Sequence, residues 1–340
     1  MTVQAILDEL ARLSSIRVIP LNTSPAPERF TAKKARLNSE DARRMAFITR
    51  QYARNVKHSS AVLVFANNRF TLTIVPLLLM LARRHHKRFY LKPVGGSLDL
   101  YLVAQGKLLR NYLLSILRAV DGVLAQTRQL QSALIQMGCT NTHYVPGCRP
   151  APQALPPRSG NPAEPRLIFL SLIHRQKGAL ILLEALGLLA REHSLRVSCD
   201  FYGPILEDRE EFLRQLEVTP GSHYCGVVQP EAATAVIAAH DVLVLPTYYA
   251  TEGHPGAIIE AMQAGVPVIS TRHRAIPELI TDGENGLLVP VQDSRALAEA
   301  IKRIALDFSL RERMGQANFH RGQEFRPDVV VPQMLDIIFR

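Results

Sequence analysis

The chain has 340 residues, 47% of them hydrophobic and 21% charged, with a net charge of +10. That length suits two α/β domains of ordinary size, and that composition excludes a chain dominated by disorder. The charge is lopsided: residues 1–150 hold 22 Lys and Arg against 7 Asp and Glu, whereas residues 151–340 hold 18 against 23.

A first half this basic is expected to face something anionic, either nucleic acid or the inner surface of a membrane, unless it is simply a soluble basic surface. Lipid attraction of about 1 kcal/mol per basic residue would suffice for peripheral attachment. The longest apolar run, Leu72 to Ala82, contains Pro76 and is too short to span a bilayer. The N-terminus shows no signal-peptide pattern. Cys139, Cys148, Cys199 and Cys225 are scattered, without metal or redox spacing. The expected setting is therefore the cytoplasm, with reduced thiols and optional contact with the inner membrane face.

Taken in chain order, the first half reads as helix Val3–Leu13, strand Arg17–Pro20, helix Glu40–Arg54 and strand Ala61–Ala66. Helix Phe70–His85, strand Arg88–Leu91, helix Leu98–Ala119, strand Gly122–Ala125 and helix Arg128–Met137 follow. Seven prolines between Pro146 and Pro165 rule out a helix or a central strand and mark a linker. Beyond it, apolar runs Leu167–Leu170, Val197–Tyr202, Val242–Leu245, Val266–Ile269 and Gly286–Val289 alternate with helical patterns such as Ala179–Arg191, Glu231–Ala239 and Ser294–Leu306. Such alternation predicts a doubly wound parallel sheet. The final stretch, Pro327 to Arg340, has a helical apolar face that could pack on either domain. The expected division is 1–150, a linker 151–165, a second domain 166–325 and a C-terminal helix 326–340. Two such domains leave a cleft between them, with ligands at the carboxyl ends of the strands.

One segment carries chemistry. After the strand ending near Leu245 comes a polar loop with Gly253 and Gly256, then Pro255 at a helix start, then a helix that Gly265 stops. Free backbone N–H groups at that helix start form an anion site. Glu252 lies in the loop, and Glu260 lies about one turn into the helix. A carboxylate so placed can accept hydrogen bonds from two vicinal sugar hydroxyls. Singly, each glutamate reads as a solvated acid; together, in this setting, they read as a functional site.

The stretch EGHPGAIIEAMQAGVPVIS resembles the signature of retaining glycosyltransferases of family 4 (group 1), which have the GT-B fold. Segments 276–290, 170–186, 200–204 and 126–150 resemble the family in support. The resemblance implies two Rossmann-like domains facing across a cleft. It implies transfer of a sugar from a nucleoside diphosphate to a lipid-linked or cell-surface glycan, without metal or cofactor. Glu260 would bind ribose; Glu252, Gly253, His254, Pro255 and Gly256 would surround the donor sugar and diphosphate. Lys177 would neutralise the diphosphate, Val227 and Val228 would meet the base, and Gly203 belongs to the same donor side.

Two departures from the family pattern stand out. Leu172 occupies the place of an arginine, for which Arg175 is either a substitute or a surface residue. The loop Lys92–Asp99 lacks the family's histidine; Gly95 and Gly96 suggest close approach to a ligand, and Asp99 reads equally as an acceptor contact or a helix cap. His254 could touch the sugar, and His273, between Arg272 and Arg274, reads as a polar loop residue. The family also begins with a strand and a glycine-rich loop, whereas this chain begins inside the helix that follows them. The first domain is thus expected to lack its N-terminal strand, with Met1 internal to a longer protein. Two other functions stay open: nucleotide-sugar binding without transfer, and nucleic-acid binding by the basic half, although aromatic stacking platforms for the latter are lacking.

Overall fold

The computed structural model describes residues 2–13, 16–21, 39–156, 164–195 and 197–340. Linker residues 157–163 lie outside this set. The first domain runs α1 (Thr2–Arg12), α2 (Ser39–Asn55), β1 (Ala61–Ala66), α3 (Asn68–Thr73), α4 (Val75–Arg84), β2 (Arg88–Pro93), α5 (Leu98–Ala104), α6 (Lys107–Ala119), β3 (Gly122–Ala125), α7 (Arg128–Gln136) and β4 (Thr142–Tyr144). Its strands form one parallel sheet in the order β1-β2-β3-β4, with Leu63 opposite Tyr90 and Val123 opposite Thr142. Among the described residues β1 is an edge strand.

Three expectations change here. Arg17–Pro20 forms no strand, and Val18 and Ile19 stay exposed. The helix expected over Phe70–His85 breaks at Ile74, which ends α3 and starts α4, with Pro76 in the first turn of the new helix. The helix expected over Leu98–Ala119 breaks at Gln105 and Gly106, both in extended backbone, so α5 and α6 are separate.

The second domain comprises β5 (Arg166–Leu170), α8 (Ala179–Glu192), β6 (Ser198–Tyr202), α9 (Arg209–Val218), β7 (Ser222–Tyr224), α10 (Ala233–Ala238), β8 (Val242–Leu245), α11 (Gly256–Gln263), β9 (Val268–Thr271), β10 (Gly286–Val289), α12 (Ser294–Leu306) and α13 (Phe308–Gly322). Its six parallel strands lie in the order β10-β9-β8-β5-β6-β7. Every residue of β8 and β9 is buried, as inner strands covered on both faces must be; β8 is apolar throughout, whereas in β9 the buried Ser270 and Thr271 hydroxyls donate to the Leu245 and Thr247 carbonyls. Phe169, Phe201 and Phe212 are fully buried in one core, each contributing about 1.5–3 kcal/mol by burial. From β5 the chain winds outward through β6 and β7, then returns to β8 on the other side of β5. That reversal puts a crevice at the carboxyl ends of β5 and β8.

The last helix, α14 (Pro327–Phe339), crosses back to the first domain. Val330, Val331, Met334 and Ile338 pack with Ala5, Ile6 and Leu10 of α1 and with Tyr90 of β2. The Tyr90 hydroxyl donates to the Ile337 and Ile338 carbonyls at 3.1 Å. At the end of β2 the buried Lys92 ammonium donates to the Val145 carbonyl at 2.5 Å, and burial pushes its pKa down to about 7. Together these contacts yield the GT-B architecture, two parallel-sheet domains with the C-terminal helix returned to the first.

Candidate functional site

The loops that leave β5 and β8 converge in the crevice between those strands. After β5 the chain makes a short 3-10 turn, Arg175–Lys177, and Gly178 opens α8 in the left-handed region at φ +86°. A Cβ at Gly178 would lie 2.3 Å from the Pro246 carbonyl oxygen, so the two loops touch only because this residue is glycine. The Tyr248 N–H donates to the Gln176 carbonyl at 2.8 Å, which fixes their alignment.

This alignment brings Lys177 onto Glu252. Lys177 Nζ lies 2.7 Å from Glu252 Oε2, and the Thr247 hydroxyl donates to the same oxygen at 2.8 Å. Glu252 is 7% exposed, and the ammonium also lies 4.6 Å from the centre of the Tyr249 ring. Glu252 is buried and Lys177 half-buried, so the pair is shielded and hydrogen-bonded rather than a surface ion pair.

Glu260 sits one turn into α11 and is 5% exposed. Pro255 precedes that helix as its N-cap without a side-chain cap, and no acidic residue lies in the first turn. The positive end of the helix therefore has no carboxylate of its own. Arg149, at the end of the first domain, reaches Glu260: Nε lies 3.1 Å from Oε1. Its guanidinium crosses the first turn of α11, where a Cβ at Gly256 would lie 2.4 Å from Nη2. The backbone of Arg149 is tied to the second domain, N–H to the Phe325 carbonyl at 3.0 Å and carbonyl to Gln263 Nε2 at 2.9 Å. Burial raises the Glu260 carboxyl above its usual range, and the charge and hydrogen bond of Arg149 only partly oppose this.

The first domain closes over the loop between β8 and α11 at Gly96. A Cβ there would lie 2.4 Å from Gly253 Cα, so the backbones meet glycine against glycine. Gly95 takes a left-handed φ of +88° to make the approach. Asp99 is neither the cap of α5 nor a free acid: both its oxygens accept from Arg274 Nη2, at 2.9 and 3.1 Å. The same nitrogen donates to the Gly96 carbonyl at 2.6 Å.

The remaining candidates separate. Arg175 is exposed and pairs with Asp208 at 3.0 Å, so it does not join Lys177 at Glu252. Val227 is 59% exposed in the loop after β7, and Val228 is half-buried. Gly203 has a packing reason: at φ +138° its Cβ would lie 1.8 Å from the Ser171 carbonyl oxygen. Leu172 is exposed. His254 is buried, with Nε2 3.1 Å from Glu278 Oε2, and His273 Nε2 lies 3.0 Å from the Tyr249 carbonyl. Thr247, Arg149, Arg274 and Glu278 were not singled out by sequence pattern. Of these, Arg149 and Glu278 lie inside the family-like segments 126–150 and 276–290.

Residues 164–307 match the family described as glycosyl transferases group 1. Among curated relatives, the chain is similar to a putative colanic acid biosynthesis glycosyltransferase, WcaL, of Salmonella typhimurium, 28% identical over 61% of this chain and 50% of that one. It is also similar to a D-inositol 3-phosphate glycosyltransferase of Corynebacterium jeikeium, 28% identical over 58% of this chain and 48% of that one. The chain thus spans about half the length of these relatives. In fold it resembles Anabaena HepE, solved in complex with UDP, with a TM-score of 0.69 at 16% identity over 85% of this chain and 81% of that one. Among the described residues, no helix is long and apolar enough to cross a membrane.

Proposed function

We propose that this protein is a retaining glycosyltransferase of family 4, moving a sugar from a nucleoside-diphosphate sugar to a lipid-linked or cell-surface glycan. The observation that carries this reading is the shielded Lys177–Glu252 pair facing the same crevice as Glu260 and the uncapped start of α11. Two buried carboxylates at a topological switch point suit the hydroxyls of a sugar and a ribose. Lys177 and the backbone N–H groups opening α11 suit a diphosphate whose negative charge grows as the glycosidic bond breaks. In this reading Glu260 holds the ribose, Glu252 lies by the donor sugar, and the reaction needs no metal.

Relatives named for colanic acid and amylovoran biosynthesis support a glycan acceptor. A basic first domain suits a phosphorylated or membrane-held acceptor. Exposed Phe47 shares α2 with Arg43 and Arg50, exposed Met80 shares α4 with Arg84, and exposed Leu108 follows Lys107. The test is transfer from a panel of nucleotide sugars in the presence of a chelator, with the anomeric configuration of product read by NMR. Retained configuration with chelator-insensitive turnover is expected; inversion, or complete dependence on a divalent ion, overturns the reading.

A second reading, donor binding without transfer, is favoured by one observation. With Leu172 exposed and Arg175 paired to Asp208, the loop after β5 brings one cation, Lys177, to Glu252. Nucleotide binding without transfer to any acceptor in the same panel would favour it.

A further inference from the structure

The segment after β9 reaches across the cleft at two points. Arg274 Nη2 holds the Gly96 carbonyl and both oxygens of Asp99, at the start of α5. Four residues on, the Glu278 carboxylate meets the start of α7: Oε2 accepts from the Arg128 N–H and Oε1 from the Gln129 N–H, each at 2.7 Å. Those are N–H groups that a helix cannot satisfy internally. Thr127, the N-cap of α7, covers only the Leu130 N–H, and the first turn of α7 holds no acid of its own. Two of the three capping bonds of this first-domain helix are therefore supplied by the second domain.

The same Glu278 oxygen that accepts from Arg128 also lies 3.1 Å from His254 Nε2, in the donor loop between Gly253 and Pro255. A carboxylate partner places the ring proton on Nε2. The His254 side chain is wholly buried, and its Nδ1 has no hydrogen-bond partner, so Glu278 provides the polar contact that orients the ring. His254 meets Tyr144 of β4 edge-on at 6.5 Å, and the Arg128 guanidinium lies 4.4 Å from the centre of that Tyr144 ring. The contacts close a circuit: donor loop, Glu278, α7, Tyr144, donor loop. Two members of the circuit belong to the first domain and two to the second. The backbone of Glu278 is itself held, its carbonyl accepting from Arg321 Nη2 at 2.6 Å. Burial disfavours the ionised carboxylate, but the hydrogen bonds from His254, Arg128 and Gln129 outweigh it and hold its pKa below the usual range.

We infer that Glu278 is a positioning residue that couples closure of the cleft to the shape of the donor loop, through His254. When the first domain docks, the N–H groups of α7 fix the Glu278 carboxylate, and the carboxylate fixes His254 and the loop that follows Glu252. When the domains part, the carboxylate loses two N–H donors and His254 loses the packing of Tyr144. Donor geometry is then set only in the closed form. This rests on the donor reaction proposed above, but its structural half does not.

The test compares wild type, Glu278→Gln, and Glu278→Gln combined with Gln129→Glu, which gives α7 an acid in its own first turn. Small-angle scattering, thermal unfolding, UDP binding and turnover of the nucleotide sugar are measured on each. Glu278→Gln is expected to enlarge the free protein, lower the unfolding temperature and reduce kcat about tenfold or more, as loss of charge-assisted hydrogen bonds implies. The second substitution is expected to restore the unfolding temperature but neither the compactness nor kcat. Recovery of kcat along with stability would reduce Glu278 to a helix cap and overturn the coupling. Unchanged compactness and kcat in Glu278→Gln would do the same. A wild type that binds no nucleoside diphosphate would instead defeat the proposed function, and scattering of the free proteins would still decide whether Glu278 holds the cleft closed.

Discussion

Arg149 Nε lies 3.1 Å from Glu260 Oε1, and the Arg149 backbone is hydrogen-bonded to the second domain on both sides. The arginine is therefore held by the second domain although it ends the first. Burial raises the Glu260 carboxyl, and Arg149 restrains that rise. A ribose is held best by the ionised carboxylate, so nucleotide affinity is expected to fall as pH drops through the Glu260 pKa. In Arg149→Met the fall should begin at higher pH than in wild type, because the restraint is gone. Calorimetric titration with UDP across the acid range reads the difference; identical profiles would show that Arg149 does not set the Glu260 charge.

Lys177 pairs with the buried Glu252, and removing the lysine strands that carboxylate. Lys177→Met is expected to lose about 3–5 kcal/mol of stability, the usual cost of an uncompensated buried charge. The double variant Lys177→Met with Glu252→Gln should regain most of that stability and none of the turnover. Denaturant unfolding and initial rates on the three variants check both halves. Recovered turnover in the double variant would remove Lys177 from the diphosphate role.

Gly96 meets Gly253 across the cleft with no room for a Cβ. Gly96→Ala should leave the secondary structure of both domains intact, since the added methyl clashes only with the facing domain. Turnover should fall because the first domain can no longer seat on the donor loop. Circular dichroism and kinetics separate these; full activity in Gly96→Ala would mean that the closed contact is not used in the reaction.

Much of the second domain is legible in the sequence because strands buried on both faces read as apolar runs. Val242–Leu245 and Gly286–Val289 were bounded to the residue for that reason. Arg17–Pro20 misled because two β-branched residues in a short stretch carry strand propensity without a partner to pair with. The break at Gln105–Gly106 was missed because the apolar spacing carries on across it. The placement of Glu252 before α11 and of Glu260 within it was legible because loop, glycine, proline and helix lie within one short segment. The contacts of Asp99 with Arg274 and of Glu278 with α7 were not, because they join residues 175 and about 150 positions apart. No local pattern encodes them: Asp99 reads equally as an acceptor contact or a helix cap, and nothing local marks Glu278 until the two domains face each other.

The central claim is that Glu260 at the start of α11 holds the ribose of a nucleoside diphosphate. Its most direct test is calorimetric titration of UDP into wild type and Glu260→Ala in the presence of a chelator, with circular dichroism to show that both are folded. Saturable binding by the wild type and at least about a hundredfold loss in the variant, the scale of about 3 kcal/mol expected for losing hydrogen bonds to a charged group, is the predicted result. Equal affinity in the two folded proteins would contradict it.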